Sequence, residues 1–400
     1  MNGNPSLEAQ EPCRNGRPLP PAAISSLYIH VPFCLSKCPY CDFFSLAEHE
    51  TELRRYPELL LRHLALAIDR GLLQNRLSTL FFGGGTPSLL TPEALAAIIA
   101  ALSRAPGISA DAEISLEANP GTVNLEKLQG FRSAGLNRLS IGIQSLNGTF
   151  LNRLGRRHTP EQAVTAFRDA RRAGFANLSC DLMFGLPGQR RRQLLDELDA
   201  ILALEPEHLS CYGLTVEEDT PFYHLHHRGG LPLPDEEESR ELYLAIHDRL
   251  VAAGYRHYEI SNYALPGHEC RHNLVYWRRG AYLGIGAGAH SFDAERWGQR
   301  WAAPPDLNEY SLRLDRGEDP AEKLEDFDRQ GAMAETIYLG LRTSEGIGEA
   351  DFMRQFGQGV ASAFPEAVAR CGSHLVFLDG RWCLDLAGWL IYDHLIEAFL

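Results

Sequence analysis

The chain has little of what would place it in a membrane, a secreted scaffold or a nucleic-acid complex. Its longest apolar stretches, around Leu59 to Leu73 and Ala94 to Leu102, carry Arg and Asp or stop well short of the roughly 20 residues a bilayer span needs. No apolar leader opens the sequence: Asn, Gly, Pro, Glu and Arg fill the residues before Leu27, which predicts a disordered arm over 1–24 and a cytoplasmic chain, with peripheral attachment to a membrane left open. Positive charge is short, with 38 Lys and Arg against 52 Asp and Glu for a net charge of −14, so nucleic acid is not an expected partner. The nine cysteines are an odd number, and three crowd into eight residues, which fits a disulfide framework badly and a metal site in a reducing compartment well. What is there is globular: 44% hydrophobic and 22% charged residues over 400 positions, enough for about two to three domains at ~150 residues each.

From Leu27 onward, short apolar runs alternate with longer helical patterns, the signature of βα units and a parallel sheet. Six strands are predicted, at Leu27 to Phe33, Leu77 to Phe82, Glu113 to Glu117, Arg138 to Ile143, Asn177 to Phe184 and His208 to Leu214. Between them lie helices such as Pro92 to Arg104, with Thr91 as its N-cap and Pro at the first helical position. These runs read as apolar on both faces, so periodicity leaves a barrel and an open sheet equally possible; both bind ligands at the carboxyl ends of their strands. Those ends carry Cys34, the Gly83-Gly84-Gly85-Thr86 turn, Glu117, Gln144, Asp181 and the Tyr212 to Thr215 run. The boundaries predicted are 25–235 for the βα domain, 236–325 for a connecting segment and 326–400 for a C-terminal mixed α+β, winged-helix-like domain. In the last of these, Leu375 to Asp385 reads as a hairpin turning at Asp379-Gly380, followed by a helix from Ile391.

Cys34, Cys38 and Cys41 form a Cys-x3-Cys-x2-Cys loop directly after the first strand. Three thiolates from one loop suit a [4Fe-4S] cluster with one iron left open for a small molecule. The alternative is zinc, which needs a fourth ligand such as Asp42 or His30. The Gly83 to Pro87 turn lets backbone approach a ligand, or is simply a turn. Glu117 is placed to accept hydrogen bonds from ribose hydroxyls, and Gln144, Arg156 and Asp181 add an amide, a carboxylate clamp and a second acceptor. Cys180 and Cys211 on strands read as core, as does Cys270, and His224, His226 and His227 as a solvated turn.

The cysteine loop followed by Gly-Gly-Gly-Thr-Pro resembles the radical S-adenosylmethionine (SAM) superfamily. There, three cysteines hold a [4Fe-4S] cluster, the open iron binds the amino and carboxylate groups of SAM, and one electron cleaves SAM to a 5′-deoxyadenosyl radical. The usual fold is a partial (β/α)6 barrel, with which the six units agree. From about Leu27 to the C-terminus the resemblance narrows to the HemN/HemW group, the oxygen-independent coproporphyrinogen III dehydrogenases and their haem-chaperone paralogues. It rests on Leu27-Tyr-Ile-His-Val-Pro-Phe-Cys34, Gly142-Ile-Gln-Ser145, Asp181-Leu-Met-Phe-Gly-Leu-Pro-Gly188 and His272-Asn-Leu-Val-Tyr-Trp277. The resemblance implies SAM contacts from Tyr28, Gly84, Glu117, Gln144, Arg156 and Asp181, with Gly85 and Thr86 where the dehydrogenases hold a second SAM.

Two departures separate this chain from the dehydrogenases. Their further cysteine, two residues after the third ligand, is replaced by Phe43, as in the chaperone branch, and only the arm before Leu27 stands where they carry a longer extension. His272 to Trp277 matches the HNxxYW signature of the chaperone branch, which implies a haem contact with His272 as axial ligand. The resemblance thus implies a haem chaperone, its cluster and SAM serving regulation or assembly, with no catalytic residue assigned. Its implied partners are haem, haem-accepting apoproteins, a low-potential electron donor and a second copy of the chain. The alternatives are the oxidative decarboxylation of coproporphyrinogen III and an enzyme acting on RNA, the latter disfavoured by the acidic balance.

Overall fold

Six apolar segments pair in chain order to form the centre of the molecule. A computed structural model describes residues 24–400, so all of the expected arm but its last residue lies outside the described residues. The strands are β1 (Ser26–Val31), β2 (Leu77–Gly84), β3 (Ile108–Ala118), β4 (Arg138–Gln144), β5 (Leu178–Phe184) and β6 (His208–Gly213), each within a few residues of expectation except β3, which begins earlier. Every neighbouring pair among them is parallel. Parallel neighbours need a crossover, and helices supply it. The helix Pro92–Arg104 shows why these segments fold as they do: Thr91 accepts a hydrogen bond from the Ala94 N–H, Pro92 occupies the first turn, and Leu95, Ile98, Ile99 and Leu102 form one buried face.

The segment 236–325 extends this sheet at both ends. β7 (Arg256–Glu259) and β8 (Asn262–Ala264) form an antiparallel pair beside β6, and β9 (Leu283–Ile285) joins β1 in parallel. The order is β9-β1-β2-β3-β4-β5-β6-β8-β7, an open sheet of nine strands consistent with a partial barrel. One hydrophobic cluster runs through it from Ile24 to Leu314. A second belongs to residues 332–399, where the helix Arg329–Gly340 packs with a small antiparallel sheet. Its hairpin turns at Asp379 and Gly380, both left-handed at φ 49° and 77°, as a tight hairpin turn demands. In place of one helix from Ile391 there are two short ones, Leu386–Leu390 and Tyr392–Ile396, because Ile391 itself leaves helical geometry at φ −118°, ψ 28°.

The strands are not apolar on both faces. Successive side chains of a strand point to opposite sides. On β4, Leu139, Ile141 and Ile143 enter the core, while Arg138, Ser140, Gly142 and Gln144 line a cavity. On β6, Leu209 and Cys211 enter the core while His208, Ser210 and Tyr212 face that cavity. Cys180 and Cys211 are core residues, as expected.

One buried phenol ties these parts together. The Tyr56 hydroxyl, on the helix Glu50–Asp69, donates to the His30 carbonyl of β1 at 3.0 Å and accepts from the Ala287 N–H just past β9 at 2.9 Å. Tyr56→Phe strands both backbone groups in the core, and urea denaturation should show a loss of about 1–3 kcal/mol at unchanged m-value. A loss below ~0.5 kcal/mol would mean that this bond does not join the helix to the sheet edge.

Candidate functional site at the cysteine rim

The carboxyl ends of the strands open onto a cavity of about 530 Å³, within the range of small-molecule sites. Cys34, Cys38 and Cys41 all line it. Their loop is closed at its base by a short parallel pairing of Phe33–Cys34 with Leu46–Ala47, and drawn in at its tip by the Cys41 N–H to Cys38 carbonyl bond of 3.2 Å. The Thr86 hydroxyl donates to Cys34 Sγ at 3.6 Å and Arg156 Nη1 to Cys38 Sγ at 3.7 Å. Burial pushes the Cys41 thiol up, opposed by the Phe43 backbone N–H.

Among the described residues no three His, Cys, Asp or Glu side chains gather so as to hold one metal ion. Zinc would need four ligands about one point. His30 cannot complete such a set, since its ring nitrogens lie 3.0 Å from the Tyr28 hydroxyl and 3.2 Å from the Phe44 carbonyl, and Asp42 is exposed and outside the cavity wall. Three thiols facing one cavity, two of them already accepting hydrogen bonds, are a donor set that fits an iron–sulfur cluster, in which each sulfur takes its own iron.

The glycine turn is shaped by the cysteine loop above it. Gly84 has φ +116°, and a Cβ there would lie 2.7 Å from the His30 ring; a Cβ on Gly85 would lie 2.7 Å from the Phe33 carbonyl oxygen. Only glycine lets this turn pass beneath Cys34. The Gly84 N–H donates to Glu117 at 3.1 Å. Gly84, Gly85, Thr86, Glu117, Gln144, Arg156 and Asp181 all line the cavity, so seven of the eight expected SAM contacts converge. Tyr28 is outside its wall; its ring stacks on Phe81, which does line the cavity.

The wall's electrostatics follow from burial. Glu117 is pushed up to about 8 by burial and then by the negative Asp181, against which the Gly84 N–H acts. Burial also raises Asp181, opposed by hydrogen bonds from Ser140 and Ser210. Arg156 donates from Nη2 to the Gly142 carbonyl at 3.2 Å, and a Cβ at Gly142 would sit 2.8 Å from that nitrogen, so a side chain there would push the guanidinium aside.

His272 is not presented as a haem ligand. It is fully buried, with Nδ1 2.8 Å from the Thr79 hydroxyl and Nε2 2.7 Å from the Tyr276 hydroxyl, and its ring stacks on Phe81 at 5.1 Å. Burial first, then Arg138, lowers its pKa to about 3, so it is a neutral core residue. Its segment is anchored by Glu113, which accepts from the N–H groups of Arg271 and His272, each at 3.1 Å, and from the Cys270 thiol at 3.7 Å. Sequence reasoning passed over the cavity floor of Arg138, His208, Ser210 and Asn273. A charged residue heading an apolar strand was the available signal for Arg138. His224, His226 and His227 stand exposed at the end of the helix Pro221–His227, as expected of a solvated turn.

Comparison with known proteins bears on this arrangement. The radical SAM superfamily model matches residues 28–201, and the HemN C-terminal domain model matches residues 327–391. The haem chaperone HemW of Bacillus subtilis is 36% identical over 380 residues, which is 94% of this chain and 99% of that protein. The chain belongs to the HemW family. Escherichia coli HemW is 45% identical over 277 residues, 68% of this chain and 70% of its own length. The family's fold is shared with coproporphyrinogen III oxidase (HemN) from Escherichia coli, a radical SAM enzyme whose structure superposes with a TM-score of 0.80 at 22% identity over 94% of this chain and 90% of that one.

The Glu117 carboxyl gives the site a pH signature. Its folded pKa lies above the ordinary carboxylate value, so its contribution to stability is complete below about 4.5 and is lost as pH rises through about 8. Glu117→Gln should therefore gain on the parent between pH 5 and pH 8.5, by on the order of 4 kcal/mol in urea denaturation. The same difference at both pH values would show that Glu117 ionises freely.

Proposed function

We propose that the chain is a haem chaperone, binding haem and passing it to haem-dependent apoproteins. The observation that carries this reading is Phe43: it is 65% exposed at the rim of the cavity, in the place where the resemblance puts a further cysteine in the dehydrogenases. A phenyl ring can neither donate a proton nor be oxidised as a thiol can. The relatives that share most of the chain's length and carry the name haem chaperone support the same reading.

In this reading Cys34, Cys38 and Cys41 hold a [4Fe-4S] cluster and SAM occupies the cavity beside it. When bound, the cluster supplies an open iron and a low-potential electron. The chain's own residues do the rest. Arg156 places its positive charge beside Cys38, and the Thr86 hydroxyl donates a hydrogen bond to Cys34, so two of the three sulfurs are held in position by donors of the chain. Glu117 and Asp181 accept hydrogen bonds from ribose hydroxyls, and the Gln144 amide orients the ligand from a left-handed position, φ +64°, at the end of β4. Gly84 and Gly85 keep the turn low enough for the ligand to enter. An electron donor and a second copy of the chain are the further partners of this reading, which also puts the protein in the cytoplasm; no helix among the described residues is long and apolar enough to cross a membrane.

Haem titrated into the anaerobically reconstituted protein should be retained stoichiometrically through gel filtration, with a shifted Soret band. Loss of all haem, together with conversion of coproporphyrinogen III to protoporphyrinogen IX, would replace this reading with the dehydrogenase. Cys38→Ala should remove the cluster's visible absorption while leaving circular dichroism unchanged, because Cys38 lies outside the strands; an unfolded spectrum would contradict that placement.

A further inference from the structure

The glycine-rich run from Gly284 to Ala289 ends on His290, an exposed side chain that no hydrogen bond, ion pair or ring contact among the described residues engages. Most other imidazoles are committed. His30, His63, His208 and His272 are buried against hydroxyls or a carbonyl, and His247 and His257 face each other at 2.9 Å. His224 and His226 are exposed at the end of the helix Pro221–His227, where the first meets Tyr223 edge-on and the second His227.

The glycines decide where His290 stands. After β9 the chain folds back and returns as β10 (His290–Asp293), which pairs antiparallel with β11 (Gln299–Ala302). The return runs so close to β9 that a Cβ on Gly284 would lie 1.9 Å from the His290 carbonyl oxygen, and one on Gly288 would lie 2.8 Å from the Phe44 ring. Phe44 therefore flanks His290 on the side of the cysteine loop. On the other side Tyr282 and Phe292 exchange backbone hydrogen bonds of 3.0 Å, and Phe292 shares the strand face of His290, about 7 Å along it. Tyr276 stands edge-on to Tyr282 at 4.5 Å, and Tyr276, Tyr282 and Phe292 line a second, small cavity of about 140 Å³. Phe44, Tyr276 and Tyr282 are half-buried, so the outcome is a shelf of aromatic rings with one unengaged imidazole among them. Burial and the nearby Arg300 lower the pKa of His290, which leaves the ring neutral and its lone pair free at neutral pH. Arg300 itself is committed to Glu335 and Glu325.

We propose that His290 is the axial ligand of the haem iron, with the porphyrin lying against Phe44 and Tyr282. A flat apolar macrocycle with a metal at its centre needs aromatic surface to cover its plane and one accessible nitrogen to reach its iron, and this shelf offers both. The bond is dative: the imidazole nitrogen gives its lone pair to the iron, a bound water leaves where one was present, and no proton or electron moves. Ligation by one exposed side chain leaves the opposite face of the haem open to an acceptor's own ligand. The inference deepens the haem-chaperone reading and rests on it.

The test titrates haem into the anaerobically reconstituted parent, into His290→Ala and, as a control for exposed imidazoles elsewhere, into a variant carrying both His224→Ala and His226→Ala. Affinity is read from the Soret band, ligation from the electron paramagnetic resonance of the ferric haem, and folding from circular dichroism and the cluster's own visible absorption. His290→Ala should weaken haem binding about tenfold or more and lose the imidazole-ligated signature, free imidazole should restore that signature, and the control should match the parent. Should His290→Ala fail to fold, His290→Met decides: a thioether in the same place should change the ligation spectrum, and an unchanged one overturns the proposal. Equal affinity and equal spectra in the parent and His290→Ala overturn it while leaving the haem-chaperone reading intact. Weaker binding with an unaltered spectrum makes His290 part of the wall and overturns it too. A parent that binds no haem overturns the reading and the inference together.

Discussion

The two-residue alternation of a β-strand is the constraint on which everything else in this molecule depends. Because neighbouring side chains on a strand leave it in opposite directions, one segment can hold a core and a site at once. β4 is the clearest case, with Leu139, Ile141 and Ile143 buried in the core and Arg138, Ser140, Gly142 and Gln144 ranged along the cavity from floor to rim. Shifting this strand by one residue would put the arginine in the hydrocarbon and the leucine in the cavity, so the register that makes the fold also makes the site.

The second consequence is electrostatic. A sheet that turns its polar face inward gathers Glu117, Asp181, Arg138 and Arg156 around one space, where water is scarce and each charge is expensive. The structure answers with local donors: the Gly84 N–H on Glu117, Ser140 on Asp181, the Gly142 carbonyl and Cys38 sulfur on Arg156. These bonds leave the site stable enough to exist and still unsatisfied, since Arg156 and Arg138 each keep an Nε without a partner. An unsatisfied, pre-shaped polar cavity is what a ligand of mixed charge requires.

Much of this was legible in the chain because it is local. Strands bounded by turn signals, a capped helix, three cysteines within eight residues and a glycine turn are all patterns of near neighbours. What was not legible is convergence. His272 and Asn273 are adjacent in sequence, yet the first is locked between Thr79, Tyr276 and Phe81 while the second faces the cavity, a distinction set by packing against β2. β9 was hidden because three residues in a glycine-rich run carry no periodicity, and they become a strand only by pairing with β1. Tyr28 was read as a ligand contact from its position, but its hydroxyl lies against His30 and its ring supports the wall from behind.

The account stands on the three thiols acting together on one polynuclear centre with an open iron. Electron paramagnetic resonance of the reduced, anaerobically reconstituted protein, recorded with and without SAM, addresses that claim most directly. A cluster signal whose g-values move when SAM is added is the result the account requires, because only an iron without a protein ligand can take the new one. A signal indifferent to SAM, or a protein that retains zinc in place of a cluster, would contradict it.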